Sequence, residues 1–386
     1  MEEREILEVD VLIVGSGPTG SSVALHLVQQ DASWAERTLV IDKAVHPRDK
    51  LCGGGITYLG ENVLTNLGLP FEPNNFEVRE VRLQYQDLSY SFRGDPVLRI
   101  VRRREFDQWL VQEAEKRGVT VSQGERVRSV EANAKYVEVV TDKRTIHAQI
   151  LVAADGSRSF IRSQLKWNDG SHVARLLEVD TPENPQTHPI FRDKVAVFDF
   201  THMTDELQGY YWDFPSIVEG EPIMNRGVFD SRSRPERDKA DLKQVLRDSM
   251  EVRDRNLDNF KLKGAPIRWF DSHGQISQPR VLLAGDAAGV DPLFGEGISF
   301  ALAYGSPVAE TIVDAFERAD FSLESYRKRL LSRWMFRQLR LRVKIAKFAY
   351  WLKSPRVFRI GWRIARRVVA LTPWRSPDFR PAKQLA

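Results

Sequence analysis

Apolar and polar positions follow one another along this chain in blocks of different period, and the first block lies near the start. Val9 to Val14 (VDVLIV) is a short apolar run ending at Gly-Ser-Gly, and a stretch of helical character, Ser21 to Gln30, follows at once. Thr38 to Asp42 (TLVID) supplies a second apolar run. Strand, turn, helix and strand in that order form one βαβ unit, the opening piece of a doubly wound sheet.

The period then shifts. Leu83 to Val101 alternates and is broken by Gly94 and Pro96, whereas Glu105 to Arg117 places Phe106, Trp109, Leu110 and Ala114 at helical spacing. Val119 to Val140 alternates again, as an antiparallel meander does. Ile150 to Ala154 predicts a buried strand running into Asp155-Gly156. Residues 167–270, rich in Pro, charges and aromatics without βαβ rhythm, predict a separate antiparallel sheet with a helix near Asp238 to Arg253. Arg280 to Ala284 (RVLLA) returns to the first domain as a strand, and Gly297 to Ala315 follows as its helix. The expected fold is α/β, a Rossmann-type domain with an inserted antiparallel-sheet substrate domain and a helical C-terminal region. The expected division is 1–70, 97–165 and 271–325 for the first, 71–96 and 166–270 for the second, and 326–386 for the third.

Composition narrows the class. At 386 residues, 42% hydrophobic and 28% charged, the chain buries a sizeable core and is neither disordered nor fibrous. One cysteine excludes an intrachain disulfide and a CxxC metal site, and fits a reducing compartment. Met1 to Asp10 is acidic where a cleavable signal would be basic and then apolar, and Val11 to Gln30 is too rich in Gly, Ser and Gln to span a bilayer. A cytoplasmic protein, free or peripheral on a membrane, is expected. The seven histidines are dispersed without HxxxH or HExxH, so no metal site is expected, and no GxSxG elbow occurs.

Gly15-Ser16-Gly17-Pro18-Thr19-Gly20 is GxGxxG between a strand and a helix. Gly15 permits the tight turn, Gly17 lets a pyrophosphate approach the backbone, Gly20 lets helix and strand pack closely, and the helix N-terminus receives the anion. Asp42, with Lys43 beside it, closes the second strand where a ribose hydroxyl is accepted. Two further turns are Ala153-Ala154-Asp155-Gly156 and Leu283-Ala284-Gly285-Asp286-Ala287. In the order GxGxxG, Asp-Gly, Gly-Asp the chain resembles the FAD-containing oxidoreductases of the aromatic-hydroxylase type over residues 9–310. The resemblance implies FAD, held by Gly15, Gly17, Pro18, Thr19, Gly20, Asp42, Lys43, Asp155, Gly285 and Asp286. It also implies Arg103, which opens Arg103-Arg104-Glu105-Phe106-Asp107 in the manner of that superfamily's R-x-x-F-D helix start, near the FAD phosphates.

Finer signals resemble the geranylgeranyl reductase family. They are Lys50-Leu51-Cys52-Gly53-Gly54-Gly55, the strand Tyr210-Tyr211-Trp212-Asp213-Phe214-Pro215, and Asp291-Pro292-Leu293-Phe294-Gly295-Glu296-Gly297-Ile298. That resemblance implies a C-G-G-G turn (Cys52, Gly53, Gly54, Gly55) beside the flavin and a loop (Pro292, Gly295, Gly297, Ile298) at the flavin pyrimidine edge. It implies an aromatic strand over a hydrophobic isoprenoid substrate whose double bonds are saturated on a lipid, quinone or pigment side chain. Tyr210, Trp212 and Phe214 recur at period two and share one face, either as an aromatic wall stabilising a developing cation or as ordinary sheet core. Cys52 is either a proton donor or redox thiol at the flavin or an inert packing residue, and Glu296 either a proton relay or a structural carboxylate. Catalytic candidates are therefore Cys52, Tyr210, Trp212 and Phe214. The alternatives are an FAD-dependent monooxygenase or halogenase of a hydrophobic or aromatic substrate, and an FAD-containing lipid carrier without turnover. A W-x-W-x-I-P strand marks halogenases where this chain has Tyr210, Trp212, Phe214 and Pro215. No second GxGxxG is present, so the reductant is NAD(P)H bound transiently, a ferredoxin or other donor protein, or a quinol.

The charge is uneven. Tyr326 to Arg375 holds 16 Lys and Arg and no acidic residue, leaving 41 basic against 53 acidic residues elsewhere. Arg333, Arg337, Arg340, Lys344 and Lys347 step by four and three onto one helical face, with Leu331, Met335, Leu339, Ala346 and Tyr350 on another, alongside Trp334 and Phe348. After Pro355 the pattern repeats with Arg356, Arg359, Arg363 and Arg366 against Val357, Phe358, Gly361, Ala365, Val368 and Val369, until Pro373. An anionic membrane surface is the expected partner of 326–375, the other possibility being helices packed on the acidic body. No nucleic-acid partner is expected, because no recognisable binding module accompanies the charge.

Overall fold

The computed structural model describes residues 6–167 and 173–371. Its first sheet runs in the order Ser277–Gln278, Val281–Leu283, Thr145–Ala153, Ile6–Val14, Thr38–Asp42 and Thr120–Gln123. The last five of these strands pair in parallel, and residues 11–14, 38–42, 150–153 and 281–283 within them are buried on both faces, which explains the apolar runs there. Val127–Ala132 and Val137–Thr141 form the expected meander, joined antiparallel to the first half of Thr145–Ala153. The helix Pro18–Gln30 lies on this sheet and meets Gly305–Arg318 so closely that a Cβ on Gly305 would sit 2.2 Å from Ser22 Oγ. The long helix expected over Gly297 to Ala315 is two helices, Ile298–Ala303 and Gly305–Arg318, separated at Tyr304, whose buried hydroxyl donates to the Gly289 carbonyl.

A second sheet of eight strands has the order Lys263–Arg268, Val173–Pro182, Glu221–Asp230, Gly209–Val218, Val195–Asp199, Asn75–Tyr85, Leu88–Val101 and Gly55–Thr57. It is antiparallel except where Val195–Asp199 runs parallel to Asn75–Tyr85. The residue division drawn from sequence differs here, since Gly55–Thr57 and the end of Leu88–Val101 pair in the second sheet although they fall within the segments assigned to the first domain. A three-residue strand carries no periodic signal, and its partner decides its place. One face of this sheet is backed by the helix Leu242–Glu251 through Tyr211, Val228, Leu246 and Met250. Beneath that helix the buried Arg226 reaches Asp213 (3.1 Å) and Glu183 (2.6 Å). The opposite face carries Leu83, Phe198, Tyr210, Trp212 and Phe214 toward the first domain.

The basic C-terminal region forms the helices Ser325–Ser332, Trp334–Ala349 and Pro355–Leu371. Residues 372–386 and the side chains of Ala365, Arg366, Val368 and Val369 lie outside the description, so the expectations placed on them and on Pro373 have no structural counterpart. The first two helices belong to the main core: Tyr326, Leu330, Phe336 and Leu339 are fully buried, and Phe336 meets the Tyr304 ring edge-on at 4.7 Å. Arg333, expected on the outer cationic face, turns inward to Glu310, which also pairs with Arg329. In the third helix Phe358 and Trp362 pack on Tyr85 and Tyr90, and Arg359 pairs with Asp87 in the hairpin between Asn75–Tyr85 and Leu88–Val101. What sequence periodicity did not separate is a third face, where Leu341, Ile345, Phe348 and Trp351 stand exposed beside Lys344 and Lys347.

Because Phe336 fills the main core, Phe336→Ala is expected to destabilise the protein by about 3–5 kcal/mol through lost burial and the cavity left behind. Urea unfolding followed by tryptophan fluorescence measures it, and a cost within the error of the wild type would show that this helix is not part of the cooperative core.

Candidate functional site

One cavity of about 1510 Å³ runs between the two sheets. It exceeds the roughly 300–1,000 Å³ of ordinary small-molecule sites, giving room for a dinucleotide and a second long molecule. At one end Gly15, Gly17, Pro18, Thr19, Asp42 and Lys43 line it, together with Arg103, Asp155 and Asp286. At the junction stand Cys52, Gly53, Gly54 and Gly55, with Gly295, Gly297 and Ile298. Leu83, Tyr90, Phe92, Phe198, Tyr210, Trp212, Phe214 and Phe294 enclose the far, apolar part. Three expected cofactor residues do not line the cavity. Gly20 and Gly285 work by close packing, since a Cβ would meet the Gly15 carbonyl oxygen at 1.8 Å and Thr19 Oγ1 at 1.9 Å respectively. Pro292 is buried behind the loop, which the Asp291 carboxylate holds by accepting the N–H groups of Leu293 (2.8 Å) and Phe294 (3.2 Å).

The dinucleotide end fits a diphosphate. Helix Pro18–Gln30 begins at Gly17 with no side-chain cap and no acid in its first turn, so its N–H groups remain free for an anion. A Cβ on Gly17 would lie 3.4 Å from Arg48 Nη2 and 3.7 Å from Arg103 Nη2. Both guanidiniums share the single buried carboxylate of Asp107, Arg103 through bonds of 2.6 and 2.7 Å and Arg48 at 3.1 Å, which leaves net positive charge opposite the helix terminus. Asp42 Oδ2 accepts the Ser16 N–H (2.8 Å) and hydroxyl (2.9 Å), and its Oδ1 accepts the Ala44 N–H (2.9 Å), so the carboxylate is fixed with lone pairs to spare for a ribose hydroxyl. Asp155 Oδ2 accepts the Ile161 N–H (3.1 Å), while its buried Oδ1 has no hydrogen-bond partner, as expected of a group that meets a ligand hydroxyl. Lys50 spans the two remaining turns, its Nζ 3.9 Å from Asp286 and 3.7 Å from where a Cβ on Gly156 would be.

At the junction the backbone is pressed close. Gly54 has φ +80° and a Cβ there would lie 2.0 Å from the Val101 carbonyl oxygen, so a side chain is excluded. The Gly54 N–H points to Cys52 Sγ at 3.4 Å, and burial raises the Cys52 thiol above its usual pKa despite the nearby Arg103. Cys52 is thus a protonated thiol at neutral pH rather than a thiolate nucleophile. Phe214 covers Gly53, its ring atoms 3.1 to 3.2 Å from a Cβ position there. Phe198 centres lie 5.0 Å from both Tyr210 and Phe214, and Trp212 lies between those two along the strand. The wall is fixed by polar bonds at its back: Trp212 Nε1 donates to Asn225 Oδ1 (2.8 Å), and the Tyr210 hydroxyl donates to the Phe294 carbonyl. Burial drives the Tyr210 phenol well above its ordinary value, so it keeps a proton already directed at that carbonyl.

Sequence reasoning missed the helix Trp334–Ala349 as part of the site. Trp334, Gln338 and Arg342, spaced by four, line the cavity. Arg342 Nη1 bonds Asp291 Oδ2 (2.7 Å) and Glu296 Oε2 (2.6 Å), and Thr57 donates to the other Glu296 oxygen. Glu296 is thereby a latch between the loop and this helix, with both oxygens taken. Arg48 was missed as well, because the loop that carries it shows no periodicity to orient it. Arg48→Ala removes one charge-assisted donor facing Gly17, of order 1.5–3 kcal/mol, and is expected to weaken FAD binding roughly tenfold to a hundredfold. The flavin-to-protein absorbance ratio during dialysis reads this out, and unchanged retention would remove Arg48 from the diphosphate site.

Comparison with known proteins agrees with this geometry. A menaquinone reductase of Mycobacterium tuberculosis is 28% identical over 337 residues, covering 78% of this chain and 76% of that protein. Among solved structures, a geranylgeranyl bacteriochlorophyll reductase-like protein from Thermoplasma acidophilum superposes with a TM-score of 0.76 at 20% identity, over 99% of this chain and 94% of the other. The p-nitrophenol 4-monooxygenase of Pseudomonas putida superposes at 0.70 and 15% identity, over 95% of each chain. The family described as FAD binding domain matches residues 8–329. With a cradle for the diphosphate, fixed carboxylates for the sugar hydroxyls and that match over most of its length, the chain belongs to the FAD binding domain family and is an FAD-dependent oxidoreductase.

Proposed function

We propose that the protein saturates isoprenoid carbon–carbon double bonds of a membrane-borne lipid, quinone or pigment precursor. The observation that carries this reading is the continuity of the cavity: the dinucleotide end passes at Cys52-Gly53-Gly54-Gly55 into an apolar, aromatic-walled chamber. The names of a menaquinone reductase and of a geranylgeranyl bacteriochlorophyll reductase-like protein among the similar proteins support the same substrate class.

An unactivated trisubstituted alkene accepts a proton at one carbon and a hydride at the other. Bound and reduced, FAD supplies the hydride. The chain supplies the rest. Cys52, a neutral thiol lining the junction, holds a transferable proton at Sγ. Tyr210, Trp212, Phe214 and Phe198 present ring faces that stabilise positive charge at carbon by cation–π attraction, of order 1–2 kcal/mol when desolvated, and they keep water away from the reacting bond. A monooxygenase or halogenase is the second reading, favoured by the likeness in fold to p-nitrophenol 4-monooxygenase, and an aromatic pocket suits hydroxylation too.

Access to a lipid substrate accounts for the outer surface of the C-terminal helices. Leu341, Ile345, Phe348 and Trp351 form an exposed apolar row, Val357, Ile360 and Ile364 continue it, and Arg340, Lys344, Lys347, Lys353, Arg356 and Arg363 flank it unburied. Apolar anchors among cations suit an anionic bilayer surface, and the same Trp334–Ala349 helix walls the cavity on its inner side. Among the described residues no helix is long and apolar enough to cross a membrane.

Mass spectrometry of polyprenyl lipids and quinones tests the reaction, after incubation under argon with chemically reduced flavoprotein and in air with NAD(P)H. Products heavier by two hydrogens under argon are expected, and Trp212→Ala is expected to lower their yield at least tenfold while retaining FAD. Products that gain oxygen only in air would make the protein a monooxygenase instead. For the surface, the double variant Ile345→Glu with Phe348→Glu is expected to reduce co-sedimentation with anionic phosphatidylglycerol vesicles at low salt. Undiminished sedimentation would sink the docking face.

A further inference from the structure

The hairpin of Asn75–Tyr85 and Leu88–Val101 turns one face to the apolar chamber, and three cross-strand pairs follow one another along it: Val81 with Phe92, Leu83 with Tyr90 and Tyr85 with Leu88. The first two pairs line the cavity and the third does not. The adjoining strand stops at the same level. Phe198, in register with Leu83, lines the cavity, whereas Phe200, whose N–H donates to the Gln84 carbonyl oxygen (2.8 Å), does not. Two separate registers therefore put the end of the chamber between the layer of Leu83, Tyr90 and Phe198 and the layer of Tyr85 and Phe200.

The helix Pro355–Leu371 covers that second layer. Phe358 and Trp362 stand four residues apart on one helical face and are 7% and 8% exposed. Phe358 meets the Tyr85 ring edge-on at 4.5 Å. The Trp362 ring centre lies 5.2 Å from Tyr90, 5.5 Å from Phe200 and 5.9 Å from Tyr85, so one indole touches a ring of the last lining layer and both rings behind it. Arg359 bonds Asp87 (2.5 and 3.0 Å) and Gln86 Oε1 (2.9 Å) in the hairpin turn and so fixes the height of Trp362 above the layer. Trp362 Nε1 is buried without a hydrogen-bond partner among the described residues, which leaves packing to hold the ring. On the same helix Val357, Ile360 and Ile364 are exposed.

We infer that Trp362 is the end stop of the hydrocarbon chamber and sets the length of isoprenoid tail that the protein accepts. The tail itself is taken from the reductase reading above, on which the inference rests. Phe214 covers Gly53 at the junction, and Tyr210 lies 5.4 Å from Phe200. Between them the strand Gly209–Val218 advances by four residues, about 13 Å at a rise of about 3.3 Å per residue. An extended chain advances about 3.3–3.6 Å over three bonds, so a four-bond isoprene unit spans roughly 5 Å. The chamber therefore holds roughly two to three units beyond a double bond at the junction. Leu83, Phe92, Phe198 and Phe214 offer such a chain burial rather than hydrogen bonds. A longer tail runs into the Trp362 layer, and in a close-packed interior it cannot thread past without displacing the indole.

Competition between prenyl alcohols of different length tests the stop on the oxidised, FAD-loaded protein, where binding is read without turnover. Geranylgeraniol, with four isoprene units, and an octaprenol, with eight, are offered together from detergent micelles, and the bound alcohols are quantified by mass spectrometry after gel filtration. The wild type is expected to retain the shorter alcohol at least tenfold over the longer. Trp362→Ala is expected to raise the long-to-short ratio at least fivefold, while Trp362→Phe, which keeps a ring in place, stays within twofold of the wild type. Leu83→Trp puts an indole one layer nearer the junction and is expected to turn the preference from geranylgeraniol toward geraniol, with two units. This second variant decides the matter should Trp362→Ala fail to fold. Equal retention of both lengths by the wild type, an unmoved ratio in folded Trp362→Ala, or an unmoved preference in Leu83→Trp would each overturn the end stop. The same mixtures given to the chemically reduced protein under argon read the chemistry separately. Ratios that shift as expected in a protein that adds no hydrogen to either alcohol would uphold the stop and remove the reductase reading. Hydrogenated products of both lengths in equal yield from the wild type would keep the reductase and remove the stop.

Discussion

A diphosphate can be held by main-chain amides only where the chain offers no side chain in the way, and this constraint organises the first sheet. The Gly15 position lies 2.4 Å from the Ala154 carbonyl oxygen and the Gly20 position 1.8 Å from the Gly15 carbonyl oxygen, measured to where a Cβ would be. Strand, turn and helix are thus locked at a spacing that no alanine tolerates. The same crowding brings the Asp155 turn against the first glycine and Thr19 against Gly285, so the three motifs that meet the dinucleotide hold one another in place. Positive charge then has a fixed location: Arg48 and Arg103 share Asp107 and stand opposite the helix terminus.

The second sheet depends on that arrangement from the other side. Its aromatic face closes the cavity only because the chain around Gly53 and Gly54 comes within van der Waals contact of Phe214 and of the Leu88–Val101 strand. The loop ending at Gly297 is held across the gap by Arg342, a residue of the C-terminal region bound to both Asp291 and Glu296. A guanidinium that satisfies two buried carboxylates is costly to remove, because each would remain buried and unpaired. The basic region therefore faces two ways: Arg342 braces the cavity from within, while Arg340, Lys344 and Lys347 stand exposed on the same helix.

The sequence was legible where function is local. The glycines of residues 15–20, the Asp155 and Gly285-Asp286 turns and the period-two aromatics at 210, 212 and 214 each depend on neighbours a few residues away, and nineteen of the expected site residues line one cavity, with Cys52 and Gly53 at its junction. Positions whose role depends on pairing between distant segments were not legible. Arg342 falls within a run of cations whose spacing does not distinguish it from Arg340 or Lys344. Heptad-like stepping separates two faces of a helix, while the Trp334–Ala349 helix uses three.

Water exclusion ties the shape of the cavity to the proposed chemistry. An apolar chamber that admits a hydrocarbon chain also strips solvent from the acid that must protonate it, and a protein acid deep in such a chamber loses its normal route to reprotonation. In the proposed reduction Cys52 is such an acid, since its thiol stays protonated at the junction of the cavity's two parts.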